Sequence, residues 1–294
     1  MQGNESLGRK IFIIFNYLFL TSTAIACLLP MVNVLAVSFS SSAAVGTGMV
    51  KLFPVDFTLE SYRFVANKPE FLQALFISFK KVIAGVAINM SLTIFIAYPL
   101  SKESGNFKGR NFYIWFFVIT MVFSGGLIPW YMTIKMTGLI DNFLALILPG
   151  AVPVFNVMLL MNFFRTLPKE IEDAAFIDGT SHWKALWKIY IPLSAPAIAT
   201  LTLFCIVSHW NSWFEGLILM NSPENYPLQS YLQTVIVSRD IKLMLSRDVR
   251  TINMVSDRTS KAAQVFLAAL PVMLVYPFLQ KYFTAGIVLG SVKG

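Results

Sequence analysis

The stretch RTLPKEIEDAAFIDGTSHWKALWKIYIPLSAP, residues 165–196, decides how the rest of the chain is read. It is a polar island between two long apolar runs. Pro168 to Ile177 reads as a short helix. Pro168 suits the first turn, where its missing N–H costs nothing. Glu170, Glu172 and Asp173 sit where the positive end of the helix dipole favours acids. Ala174 and Ala175 are strong helix formers with a flat, small surface. Asp178-Gly179 breaks the helix, because glycine tolerates the left-handed backbone of a sharp turn. A second helix starts near Thr180 or Ser181, either of which can cap it. Trp183, Leu186, Trp187 and Tyr190 follow the i, i+3, i+4, i+7 spacing and form one apolar face. Pro192 stops this helix. Two readings suit these residues: a helix–turn–helix knob standing outside a membrane, or amphipathic helices lying on the lipid surface.

The flanking runs place that island in a membrane protein. Hydrophobic residues make up 56% of the 294-residue chain and charged ones 13%, against about 45–50% and 25% in soluble domains. We read six spans of about 20 residues each: 11–37, 82–100, 111–129, 143–164, 197–220 and 262–283. Backbone groups in lipid must satisfy one another, so the spans are expected as α-helices. Pro149, Pro153, Pro271 and Pro277 lie inside spans and should bend them. Lys80 and Lys81 fall at the boundary of the second span, where long basic stems reach water. An even span count puts both termini on one side. The short basic loop 101–110 and the basic island mark that side as cytoplasmic. The loop 221–261 disagrees, with Arg239, Lys242, Arg247, Arg250, Arg258 and Lys261 on the outside. An outward basic loop attracts an acidic ligand or partner. Residues 231–237 within it read as a short helix or a strand.

The net charge of +8 does not point to nucleic acid in such a chain. Cys27 and Cys205 lie in apolar runs and read as free packing residues. No phosphate loop, zinc-binding helix, paired carboxylates or nucleophile elbow is present, so no catalytic or metal-ligating residue is nominated. The polar residues of the fifth span stand out: His209, Trp210, Asn211, Trp213 and Glu215. They are costly in an apolar run unless they face a cavity or a partner. Indole faces with hydrogen-bonding neighbours suit sugar rings. The same residues also suit an aromatic belt, with Glu215 at the outer interface. His209, Trp213, Gly216 and Met220 fall on one helical stripe.

The spacing of the island resembles a known family. Asp173-Ala174-Ala175, three residues, Gly179, nine residues, Ile189, Ile191 and Pro192 match the "EAA" motif of ABC importer permeases, which reads Glu-Ala-Ala, three residues, Gly, nine residues, Ile-x-Leu-Pro. Asp173 replaces the usual Glu and Ile191 the usual Leu. The chain looks closest to the carbohydrate-importing branch, similar to the smaller maltose permease subunit. Within that branch it is most similar to permeases for acidic polysaccharide fragments such as alginate or rhamnogalacturonan oligosaccharides.

The resemblance implies an all-α bundle of six transmembrane helices, one permease domain over residues 1–294, in a bacterial inner membrane with both termini cytoplasmic. The island becomes a coupling helix, with Glu172, Asp173, Ala174, Ala175, Gly179, Ile189 and Pro192 carrying the fit to a separate ATPase. ATP and magnesium are then held by that partner, and this chain carries no cofactor. The tail 284–294 looks like the tail of maltose-type permeases, which inserts toward the ATPase dimer, so Lys293 joins the coupling set. A second, similar permease subunit is expected, as a heterodimer, with an extracytoplasmic solute-binding protein and an oligosaccharide substrate. A permease for peptides or amino acids, or an ion-coupled carrier, is the alternative. The latter would need paired intramembrane charges and internal repeats.

Overall fold

The computed structural model describes residues 7–103, 105, 107–245, 258–275 and 277, with the backbone alone for 237–245. Among these residues every regular element is helical. The chain divides into two compact units, Met1–Phe71 with Thr234–Leu270 and Leu72–Gln233 with Pro271–Gly294.

The first unit is built on α1 (Leu7–Ser38), followed by α2 (Ser42–Gly46) and α3 (Glu60–Ala66). None of the most apolar 18-residue window of α1 is buried among the described residues, so its Ile, Leu and Phe side chains are left uncovered by them. Its end is tied down by polar contacts. Ser38 shares a 2.7 Å hydrogen bond with Tyr62, and Phe39 packs on Phe57 and Tyr62. Ser41 caps α2 through the Ala44 amide. Residues 258–275 are helical, with Pro271 inside the run.

The second unit carries the island. Helix α4 (Pro69–Ser101) begins with Pro69 and Glu70, a favourable first turn. It is longer than the expected second span and, like α1, long and apolar enough to cross a membrane. Next come α5 (Arg110–Val122) and α6 (Leu127–Met136), bent by 115° across Phe123–Gly126. The third span expected over 111–129 is therefore broken. The fourth is broken too. Two short 3-10 turns, Phe143–Leu146 and Leu148–Gly150, precede α7 (Val154–Thr166) at a 47° bend. Pro149 and Pro153 lack the amide hydrogens an uninterrupted helix needs. The turn before them is held by Asp141, whose carboxylate accepts hydrogen bonds from the Asn221 amide at 3.0 Å and Asn225 at 3.3 Å.

The island follows as α8 (Lys169–Ile177), α9 (His182–Ala185), a π turn over Leu186–Tyr190, and α10 (Ile191–Leu193). Gly179 takes the left-handed backbone predicted for it, with φ +74°, and Ser181 is the cap, accepting from the Lys184 amide. Two expectations fail here. Pro192 does not end the helix; the loosened π turn accommodates its ring, and the chain turns by 82° at Ser194 instead. Nor do the four apolar residues share a face. The wide turn rotates Leu186 (1% exposed) and Tyr190 (6%) into the core, while Trp183 (62%) and Trp187 (52%) stay outside.

Helix α11 (Ala195–Asn211) and α12 (Phe214–Leu219) replace the expected continuous fifth span. The ladder stops at Ser212, whose backbone is extended, so the predicted stripe from His209 to Met220 is interrupted. Finally, α13 (Leu228–Leu245) supplies 18 residues of helix where a polar loop was expected. It contains the 231–237 segment, which is thus helix and not strand.

The core of this unit joins Met90, Ala97, Tyr98, Val157, Leu160, Phe164, Leu186, Tyr190, Leu201 and Cys205. Between lipid-embedded helices the hydrophobic effect gives no drive to associate, so close packing and polar contacts hold such helices together.

Candidate functional site

Helix α4 repeats a buried residue every four positions: Lys81, Gly85, Asn89, Thr93 and Ala97. Residues four apart share a helix face, so this is one continuous stripe, and it packs on α11 and the break after it. Lys81 donates to the Ser212 hydroxyl. A Cβ built on Gly85 would lie 2.5 Å from His209 Nε2, so the imidazole rests directly on the glycine. Asn89 reaches Cys205, which also accepts from Asn156 Nδ2 at 3.3 Å. The expectation that Lys81 reaches water at the membrane boundary is overturned: the residue is 1% exposed. The longer α4 carries it past its first three turns, and the broken backbone at Ser212 offers it a hydroxyl.

Not every group along this seam is satisfied. Asn89 Oδ1, Thr93 Oγ1, His209 Nε2 and Glu215 Oε2 are buried without a hydrogen-bond partner. Each such group costs about 1–3 kcal/mol. A cluster of them on helices this apolar makes the seam a candidate functional region.

Beside the seam lies a cavity of about 470 Å³, within the size range of small-ligand sites. Its walls come from Asn89 of α4, from Ser124, Gly126, Leu127 and Trp130 at the α5–α6 bend, from Ala145, Pro149 and Pro153 among others around the 3-10 turns, and from Ser208, His209, Ser212, Phe214 and Glu215. The helix breaks therefore form the site. Each one removes a cylinder of backbone and leaves room between elements.

Of the five residues nominated from the fifth span, His209 and Glu215 line this cavity. Trp210 is 4% exposed and packs edge-on against Phe79. Asn211 is exposed. Trp213 is 42% exposed, with its ring edge against Phe214 and its carbonyl accepting from Ser230 at 2.7 Å. The indole on the cavity wall is Trp130, which the sequence reading did not single out. Lys81 and Asn89 were missed as well, although a four-residue spacing of polar and small residues in an apolar run was there to be seen.

The island forms a second site. Asp173 and Ala174 are exposed on α8, Ala175 is half-buried, and Gly179 and Pro192 are exposed. Ile189 packs against the core. Glu172 turns inward: it pairs with Lys102 at 2.5 Å and accepts a hydrogen bond from the Tyr190 hydroxyl. The Lys102 ammonium also donates to Tyr190 Oη at 2.9 Å. It lies 4.1 Å and 4.0 Å from the ring centres of Tyr98 and Tyr190. Burial pulls the Lys102 ammonium below the usual lysine range, opposed by the Glu172 carboxylate. Burial, then Glu172, pushes the Tyr190 phenol well above its usual value. An exposed pair, Lys169 with Glu103, joins the same two segments. Lys293 and the tail 284–294 lie outside the described residues.

Comparison with known proteins places these features. A family model described as binding-protein-dependent transport system inner membrane component matches residues 6–288. The chain is 38% identical over 289 residues to the polygalacturonan/rhamnogalacturonan transport system permease protein YtcP of Bacillus subtilis (strain 168), covering 98% of this chain and all of that one. It is 38% identical over 291 residues to protein LplC of the same organism, covering 99% and 97%. Among solved structures, a chain of a bacterial ABC transporter involved in the import of the acidic polysaccharide alginate superposes with a TM-score of 0.86 at 33% identity, covering 96% of this chain and all of that chain. With the helical architecture and the island in place, this chain belongs to the family of inner membrane components of binding-protein-dependent transport systems, and is a permease subunit rather than an enzyme.

Proposed function

We propose that this chain forms one half of the membrane pathway of an ATP-driven oligosaccharide importer, and that the oligosaccharide is acidic. The observation that carries the reading is the island. Its inner side is locked to the segment after α4 through Lys102, Glu172 and Tyr190, while Asp173, Ala174 and Gly179 are exposed to an outside partner. A rigid knob with a small-residue, acidic outer face suits docking into an ATPase subunit. Glu172 then acts in coupling by holding the knob, and Asp173 by meeting the partner. ATP and magnesium belong to the ATPase dimer. The names of the pectin-fragment and alginate relatives support an acidic saccharide as substrate.

In this reading the chain crosses the membrane six times with both termini cytoplasmic. Two unbroken helices support two of these crossings; this reading takes the bent pairs Arg110–Val122 with Leu127–Met136 and Phe143–Gly150 with Val154–Thr166 as two more, α11 with α12 as the fifth and the helical residues 258–275 as the sixth. A second, similar permease completes the pathway as a heterodimer, and a solute-binding protein delivers the sugar from outside. ATP binding closes the ATPase dimer, the knob moves as a lever, and the helices reopen outward.

The test is ATP hydrolysis by the reconstituted complex in lipid with its binding protein, across neutral and acidic oligosaccharides. Stimulation by the acidic class is the expected result. Absence of a bound ATPase, with uptake driven by an ion gradient instead, overturns the proposal.

A further inference from the structure

We propose that one flank of the island, formed by Trp183, Lys184, Trp187 and Lys188, docks anionic phospholipid headgroups of the cytoplasmic leaflet. The inference takes its orientation from the importer reading and goes beyond it, because that reading employs α8 and leaves these four residues without a task. The two indoles are four residues apart, and so are the two ammonium groups, so they run as adjacent rows along one side of the segment. All four residues are exposed. The π turn creates this flank: it sends Leu186 and Tyr190 into the core and leaves the indoles outside. Among the described residues neither lysine forms an ion pair.

Two observations put this flank beside the lipid. The segment His182–Leu193 meets α11 at 82°, and a segment nearly perpendicular to a crossing helix runs in the plane of the membrane. The Trp183 indole stacks on Phe95 of α4, with ring centres 5.5 Å apart and planes tilted by 26°. Phe95 is exposed and continues the exposed stripe Ile83, Ala87 and Ser91, on the side of α4 away from the buried seam. It lies well inside the helix end at Ser101, about 9 Å along the axis. Trp183 thus reaches up the flank of an apolar helix, to a depth where indoles gather at membrane interfaces. Ammonium groups at that level attract anionic headgroups, whose phosphate oxygens accept from them. The island is split by charge: Glu170 and Asp173 are exposed on α8, and the lysines lie past the Gly179 turn. An acidic face suits the ATPase, and a basic aromatic one suits the leaflet.

The test uses the full complex in nanodiscs of phosphatidylcholine that hold a rising share of phosphatidylglycerol brominated on its acyl chains. Brominated phosphatidylcholine serves as the uncharged control. Bromine quenches tryptophan emission on contact, and free phosphate bound at the same place gives no signal. Subtracting the emission of a Trp183→Phe/Trp187→Phe variant isolates the two indoles, and phenylalanine keeps a ring against Phe95. Their quenching should report a preference for phosphatidylglycerol of about 30-fold at low ionic strength, with about fivefold from each lysine. Added salt should shrink the preference. Lys184→Gln/Lys188→Gln should be quenched equally by the two lipids, because its indoles still meet acyl chains.

Equal quenching by the two lipids in the unaltered chain overturns the headgroup site and leaves an aromatic belt. Quenching by neither overturns docking to lipid and gives the flank to a protein neighbour. Oligosaccharide-stimulated ATP hydrolysis, measured on the same nanodiscs, reads the importer separately. Stimulation without a lipid preference removes this site alone. A lipid preference without stimulation keeps the site and removes the importer reading.

Discussion

Lys102 shows how much one residue holds. Its ammonium meets a carboxylate, a phenol and two ring faces at the foot of α4. Replacing it with Met leaves Glu172, whose side chain is 17% exposed, without its cation. We expect a loss of about 2–3 kcal/mol, below the range for a fully buried pair because water still reaches the acid. Lys102→Met should therefore weaken co-purification of the ATPase, and the double variant Lys102→Met/Glu172→Gln should recover part of it. The local chemistry of the island was legible in the sequence: Gly179 had to turn and Ser181 was one of two named caps. The Lys102 pairing was not. Periodicity shows which face of a helix is apolar, but not which residue 70 positions away will meet Glu172.

At the scale of elements, the seam between α4 and α11 depends on Gly85. Any side chain there collides with the His209 imidazole, which is 9% exposed and has little room to turn. Gly85→Val should push the helices apart and lower oligosaccharide uptake well before it lowers the amount of chain in the membrane. Measuring uptake per mole of inserted protein separates the two effects. Two of the expected spans fall on long apolar helices, whereas the runs expected as the third, fourth and fifth spans proved to be broken helices. Composition reports how apolar a run is, whereas a break depends on local turns such as Ser124–Gly126 and Ser212–Trp213. The fifth-span cluster was rightly noticed as costly, but the break at Ser212 sends its residues to different places. His209 and Glu215 reach the cavity, and Trp210 turns into the packing against Phe79.

For the whole molecule, α1 stands out because none of its most apolar 18-residue window is buried by the described chain. Its Cys27 is exposed and serves as a natural reporter. In the assembled complex Cys27 should react with a lipid-soluble maleimide and resist a water-soluble one; rapid reaction with the latter would place this helix against water.

The seam has a consequence for anyone seeking a hardier version of this protein. A buried ammonium, an imidazole and an amide could be exchanged for Leu and Val of similar volume, often with a gain in stability. Laboratory selection for heat resistance alone would erode Lys81, Asn89 and His209 early, because each carries a desolvation cost that an apolar neighbour avoids. If their polarity serves transport, a heat-selected descendant screened for uptake as well should keep all three, whereas one selected for heat resistance alone should lose them.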